Sequence, residues 1–447
     1  MSLPCHELPE DALMHLATGG STPEILRELV AAQRSKQMLL LWGVARLTRG
    51  ADHPDAVITA QAYDLLTHFL RGHPAVAAEV ISNPAVSAWA LATVRDLRDG
   101  ASGTRPGQLA AVAAAIAVRT GWPCKVRVPA VAGRVLLPTV GSTVPAGSPP
   151  SPSGASAPDS VGLVTVEHGR AVVEVGGDRI RVPADASLDA PGWLGMRTLG
   201  LGDTETGITL LLDDLHPMRM PGEDLEERLP GDAVSDWRPS LEDAWTLLAE
   251  HHPARAEEVR ALVNTITPLT PVPVGLRSAS SREAFGCIAL SLTQDRLMTA
   301  LTLVHEVQHV KLCAVLDIIR LIGPDRGTRY YAPWREDPRP VEGLLQGSYA
   351  FLGITRFWRR QRFLQSGEVA ELAHFEFARW REAAELVATT LLDSGDLNQE
   401  GRIFVSVMLK TLESWSADHV PAPVAAAVRR TSEEHRRSWL ARNPGFA

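Results

Sequence analysis

The chain has 447 residues, 45% of them hydrophobic and 21% charged, so a packed core is feasible and global disorder is excluded. That length suggests roughly two to four domains as a prior. A formal net charge of -8 argues against a nucleic-acid protein, whose binding face would be basic. The four cysteines include no close metal-binding pair, and no secretory context supports a disulfide framework.

The start, Met1-Ser2-Leu3-Pro4, lacks a basic region followed by an apolar stretch, so no signal peptide is expected. Charge interrupts every apolar run before about 18 residues, so no transmembrane helix is expected either. Cytoplasmic localisation, without a membrane or nucleic-acid partner, follows by elimination.

Residues 11–98 carry a helical, Ala/Leu-rich pattern. Thr22-Pro23-Glu24 combines an N-cap, a proline at the first helical position and an acidic first turn. A break at 100–107 precedes another predicted helix at 108–119, and residues 1–124 are taken as an N-terminal helical lobe. From 125 to 235 the pattern turns β-rich. Strands are expected at 126–131, 135–140, 163–167, 171–175 and 178–182, the last three as an antiparallel meander, with a further one at 207–213. Between them, 142–160 reads STVPAGSPPSPSGASAPDS and has almost nothing to bury, as expected of a linker.

Residues 236–447 form the third predicted segment. Ser240 is placed as the cap of a helix that breaks near His252-Pro253 and resumes to about Ile266. Strands are expected at 271–275 and 286–292, then a long helix at 295–321 and four more at 342–362, 368–392, 402–414 and 423–440. Cys287 and Cys313 sit in apolar runs and are expected in the core. Arg429, Arg430, Arg436, Arg437 and Arg442 give the last helix a basic face, whose ordinary meaning is a solvated surface. The fold class is α+β and mostly helical, and no solenoid or propeller repeat is present.

The long helix carries His305-Glu306-Val307-Gln308-His309. Histidines four apart share a helix face, so both imidazoles reach one metal ion, and Glu306 sits beside His305 where it meets a metal-bound ligand or water. With 14 histidines in 447 residues, chance produces a His-Glu-x-x-His run on the order of 3% of the time. The bland alternative is an amphipathic helix with two solvated histidines, which the apolar neighbours Leu303, Val304, Val307 and Val310 disfavour. A third ligand, carboxylate in a zinc peptidase or an iron oxygenase alike, is open between Asp337 and Glu342. Gln346, one turn past Glu342, reaches either the metal or one of its ligands.

The segment Tyr330-Tyr331-Ala332-Pro333-Trp334-Arg335-Glu336-Asp337-Pro338-Arg339-Pro340 is rich for a loop. Arg335 and Arg339 are candidates to fork a carboxylate. The competing explanation is a proline-fixed turn pinned by its own Arg-Asp ion pair.

HEVQH, then APWREDPRP and GLLQGSYAF, together with the opening ELPEDALMHLATGGSTPEILRELVAAQRSKQMLLLWGVA, resemble the HExxH-motif proteins of bacterial peptide natural-product clusters. The resemblance implies an iron(II)- and 2-oxoglutarate-dependent peptide β-hydroxylase acting on a ribosomal precursor peptide, alongside other maturation enzymes. It implies iron at His305 and His309 in a zincin-like helical core, with Arg335 or Arg339 on 2-oxoglutarate and Glu306 as a neighbour or ligand of the metal. Two other readings stay open: a zinc metallopeptidase with Glu306 as general base, and a non-catalytic peptide-binding partner with a structural metal.

Overall fold

The computed structural model describes residues 5–50, 53–101, 105–144, 160–273 and 275–446. Among them the fold is α+β with thirteen α-helices and small sheets. In chain order these are α1 (Glu10–Ala17), α2 (Pro23–Gly50), α3 (Ala56–Gly72), α4 (Pro74–Ile81), α5 (Pro84–Asp99), α6 (Leu109–Thr120), β1 (Cys124–Pro129), β2 (Leu136–Leu137), β3 (Gly141–Thr143), β4 (Val161–Glu167), β5 (Arg170–Val175), β6 (Asp178–Arg181), β7 (Trp193–Gly195), β8 (Arg197–Leu201), β9 (Ile208–Leu212), α7 (Gly231–His251), α8 (Pro253–Leu262), β10 (Thr265–Pro268), β11 (Ser278–Ala279), β12 (Cys287–Leu290), α9 (Arg296–Ile318), α10 (Val341–Gln361), α11 (Gly367–Asp393), α12 (Gln399–Ser414) and α13 (Ala422–Arg442). By compactness the chain divides into two units. The first comprises 1–32, 243–262 and 294–447, and the second 33–242 and 263–293.

In the second unit, β1-β4-β5-β6 form an antiparallel sheet and β2-β3-β7 a smaller one. Along β4, Gly162, Val164 and Val166 point inward while Val161 and Glu167 are exposed, the period-2 alternation of a strand with one wet face. Helix α6 is buried from Leu109 to Ala117, which its small alanines allow. The third sheet, β11-β12-β10-β9-β8, is mixed, because β10 runs parallel to both β9 and β12. Just after β9, buried Asp214 is held by Arg197 at 2.9 Å, by Arg228 and by the Leu229 amide at 3.0 Å.

Several expectations need correction. The helix expected to resume to about Ile266 ends at Leu262, and Thr265 and Ile266 lie in strand β10. Residues 142 and 143 belong to strand β3, buried and paired with β2 and β7, while 145–159 of the expected linker lie outside the described residues. Helix α7 starts at Gly231 and carries Pro239 inside it, so Ser240 does not cap it; its hydroxyl donates to the Thr293 carbonyl at 2.6 Å. Residues 271–273 form no strand, and Val274 lies outside the described residues.

The first unit is helical. Asp295 starts α9 by accepting from the Leu297 and Met298 amides at 2.9 and 3.2 Å, satisfying donors that no helical carbonyl reaches. Its buried face runs through Leu303, Val304, Val307 and Val310, and α10 answers with Leu344, Leu345 and Phe357. Each such side chain contributes about 1.5–3 kcal/mol of burial, so a charge at Val307 would break the packing. Where Gln308 of α9 meets α10, a Cβ on Gly353 would fall 2.5 Å from the Gln308 side chain, so the approach needs glycine.

On another side of α9, Lys311 and Glu258 are fully buried. Glu258 receives Lys311 at 2.7 Å, Arg255 at 2.8 Å, the Gln308 amide at 2.9 Å and the Ser21 hydroxyl. Burial pushes the Glu258 carboxyl up, but Arg255 and Lys311 overcome this and hold it ionised. Arg255 and Lys311 also donate to the Gly19 carbonyl, at 2.8 and 3.1 Å, tying residues 19–21 to α8 and α9.

No single described helix is long and apolar enough to cross a membrane. One bent pair, α4 with α5, passes by length and composition, but it contributes Ala77, Val80, Val86 and Ala90 to the core of the second unit. Cys287 is buried as expected, whereas Cys313 is only half-buried.

Candidate metal centre

Residues 305 and 309 stand one turn apart on α9, and the structure brings their imidazoles together. The two Nε2 atoms lie 3.2 Å apart, with the rings edge to face. Two nitrogens bound to one ion at about 2.0–2.2 Å are separated by about 3.0 Å at a right angle and about 3.4 Å at a tetrahedral angle. The observed spacing falls within that range.

Gln346 of α10 fixes the second ring. Its Oε1 lies 3.1 Å from His309 Nδ1, while its amide nitrogen is directed at Cys313 Sγ, 3.5 Å away. An amide oxygen only accepts, so Nδ1 carries the proton and the Nε2 lone pair faces His305. His305 is enclosed more tightly. Burial, then the neighbouring His309, pulls its pKa down to about 4, with Arg335 adding to the effect. Its imidazole is therefore neutral at ordinary pH, the form that ligates metal.

Glu306, on the same helix, is buried. Glu342 is exposed in the first turn of α10, one turn before Gln346 and on the same face. Asp337 is turned to Arg339, whose guanidinium lies 3.0 Å away. Among the described residues, no group of three or more His, Cys, Asp or Glu side chains is gathered to hold an ion. The histidine pair is thus assembled, and neither expected third ligand joins it in this arrangement.

The aromatic loop is closed by two backbone hydrogen bonds between Tyr330 and Arg339, at 2.8 and 2.9 Å. The Arg339–Asp337 pair pins its closing turn, which is the structural alternative raised for these residues. Arg335 is exposed at the middle of the loop, and its guanidinium makes no hydrogen bond or ion pair among the described residues. Its charge is felt by both His305 and Asp337.

Sequence reasoning missed the wall beside His305. Phe351 of α10 meets the His305 ring edge-on at 5.5 Å, stacks with Trp334 at 4.6 Å and lies tilted against Trp380 of α11 at 4.2 Å. Trp334 lies so close to α10 that a Cβ on Gly347 would stand 2.6 Å from the indole. The glycine in GLLQGSYAF was the available signal for that close approach, whereas nothing local in the sequence marks Trp380.

No protein-family model matches the chain, and no curated protein matches it.

Proposed function

We propose that the protein is an iron(II)- and 2-oxoglutarate-dependent oxygenase that hydroxylates the β-carbon of a side chain in a ribosomally made peptide. The observation that carries a metal site is the His305–His309 pair, 3.2 Å apart at Nε2, with the His309 tautomer set by Gln346. The donor set fits the first two positions of a two-histidine, one-carboxylate site. The resemblance of HEVQH, APWREDPRP and GLLQGSYAF to the peptide-hydroxylase family supports iron over zinc. A zincin-like arrangement follows, with the histidines on α9 and the orienting residue on the next helix.

When bound, iron with 2-oxoglutarate and O₂ supplies the oxidant: one oxygen atom enters the substrate C–H bond and the other enters succinate, with loss of carbon dioxide. The chain's own residues bind and position. His305 and His309 hold the ion, and Gln346 keeps the His309 lone pair aimed at it. Arg335, with its guanidinium unengaged and its charge felt at His305, forks the distal carboxylate of 2-oxoglutarate. Glu342 is the carboxylate that helix geometry places on the Gln346 face. Phe351, edge-on against His305, excludes water from one side.

The test is mass spectrometry of candidate precursor peptides with iron(II), ascorbate and 2-oxoglutarate. A gain of about 16 Da that depends on iron and 2-oxoglutarate is expected. Peptide cleavage by the zinc form, indifferent to 2-oxoglutarate, would overturn the proposal in favour of a metallopeptidase.

A further inference from the structure

A second cluster lies on the other side of the aromatic loop, where α11 and α13 meet it. The Tyr331 hydroxyl is 2.9 Å from His435 Nδ1 of α13, and the Tyr331 ring packs edge-on against buried Trp439 at 5.0 Å. Arg436, exposed on α13, lies over the same ring at 5.4 Å and makes no hydrogen bond or ion pair among the described residues. Arg379 of α11 lies over Trp380 at 4.3 Å, and its charge reaches both Tyr331 and His435. Arg442 acts on His435 as well.

Two carboxylates stand near this charge. Glu376, 3.9 Å from Arg379, accepts the Trp380 indole N–H, and burial pushes its pKa up. Glu336 stands 3.7 Å from Arg442 and is exposed. Arg436, over the Tyr331 ring, has no ion-pair partner among the described residues, and Arg379, over the neighbouring Trp380 ring, has Glu376 only at 3.9 Å, so both guanidiniums can take up a further carboxylate. Arg379 also joins the cluster to the Trp380–Phe351–Trp334 column, whose middle ring touches His305. All three rings are half-buried, so they keep surface for a partner.

We propose that Arg379 and Arg436, with Tyr331 and His435, bind an acidic side chain of the peptide substrate while an adjacent apolar side chain packs on the Trp334–Phe351–Trp380 column. This subsite rests on the peptide-substrate reading above and names the substrate class: a segment with an Asp or Glu next to a large aliphatic or aromatic residue. Charge complementarity selects the acid, and the rings select its neighbour. The basic face of α13, which composition alone assigns to solvent, takes part in recognition through Arg436.

The test is an array of immobilised synthetic hexapeptides, each acid-containing sequence paired with its Asn or Gln counterpart, probed with the full-length metal-free protein. Bound sequences should be enriched in an acid beside an apolar residue, with the acidic member of each pair retained about tenfold better. Arg436→Gln and Arg379→Gln should each remove most of that preference, and Arg437→Gln should leave it intact. Because Arg436 is exposed, its variant should keep the wild-type melting temperature, which guards against misfolding. An array without binders, equal binding of acidic and neutral members, or an acidic preference that survives both variants would overturn the subsite. Iron-dependent succinate formation from 2-oxoglutarate, measured separately on the same proteins, reports on the oxygenase reading. Its failure leaves the array result standing, and its success does not rescue a failed array.

Discussion

Gln346 and His309 meet through Oε1 and Nδ1 at 3.1 Å, and this contact decides which imidazole nitrogen is available to a metal. Replacing Gln346 with Leu keeps the bulk and removes the acceptor. The tautomer is then unconstrained, and metal affinity should fall about 10–100-fold with little change in stability. His305→Ala and His309→Ala should each abolish metal retention. Chelator competition and elemental analysis read both effects. Wild-type affinity in Gln346→Leu would show that the contact does not set the ring.

The two loop arginines should behave differently. Arg335→Lys replaces an unengaged planar fork with a point charge, so 2-oxoglutarate binding should weaken about tenfold while metal is kept. Arg339 is already paired with Asp337 at 3.0 Å, so Arg339→Lys should disturb the loop more than the cosubstrate. Titration of 2-oxoglutarate into the iron-loaded variants separates them. Equal affinity in wild type and Arg335→Lys would remove Arg335 from the site.

Glu306 discriminates between the two chemistries. In a hydrolase it is the general base, so Glu306→Gln would keep metal and lose nearly all turnover. In the oxygenase no water needs deprotonating, and succinate formation should persist in part. Metal content, succinate and peptide product measured together decide the matter: a variant with full metal and no succinate would contradict the oxygenase reading.

Lys311→Met should cost about 3–5 kcal/mol, because it strips one of two cations from fully buried Glu258. Adding Glu258→Gln should recover part of that loss. Urea unfolding measures both, and a cost below about 1 kcal/mol for the single variant would mean the network is not what holds α9.

Acid should weaken the fold through buried histidines. His252 stacks on Phe357 and lies 3.0 Å from Gln361, and burial pulls its pKa down to about 4. The unfolded chain then takes up the proton first, so stability is full above about pH 6.5 and falls as pH drops toward about 4. His252→Asn should flatten that decline by on the order of 2 kcal/mol. Burial pulls the pKa of His216, in the other unit, down to about 3, a shift of the same sign that limits the flattening. An identical pH profile in wild type and variant would assign the acid sensitivity elsewhere.

The helices of the last third were readable from apolar periodicity: α9 follows its cap Asp295, and α10 to α13 fall within a few residues of the expected bounds. The β4–β6 meander was readable for the same reason, since alternation and glycine turns coincide. Pairing was not. Strands β10 to β12 join β8 and β9 across a helical segment, and the four-residue strands β10 and β12, buried at every position, have no alternation of burial to betray a wet face. In the site, the His305–Glu306–His309 spacing was local and visible. The aromatic column depends on residues from the loop, α10 and α11, and no spacing rule links Trp380 to Trp334.

The tie between Gly19 and Lys311 spans 292 positions of chain. At about 5–20 residues per second of synthesis, the opening segment leaves the ribosome roughly 15–60 s before its partner exists. Through that interval Leu13, Leu16 and Leu26, buried in the finished protein, lack the later helices of their unit, among them α12, against which α1 packs. Such exposed apolar groups invite association between nascent chains. Recombinant yield should therefore improve when a chaperone that shields apolar segments is supplied during synthesis.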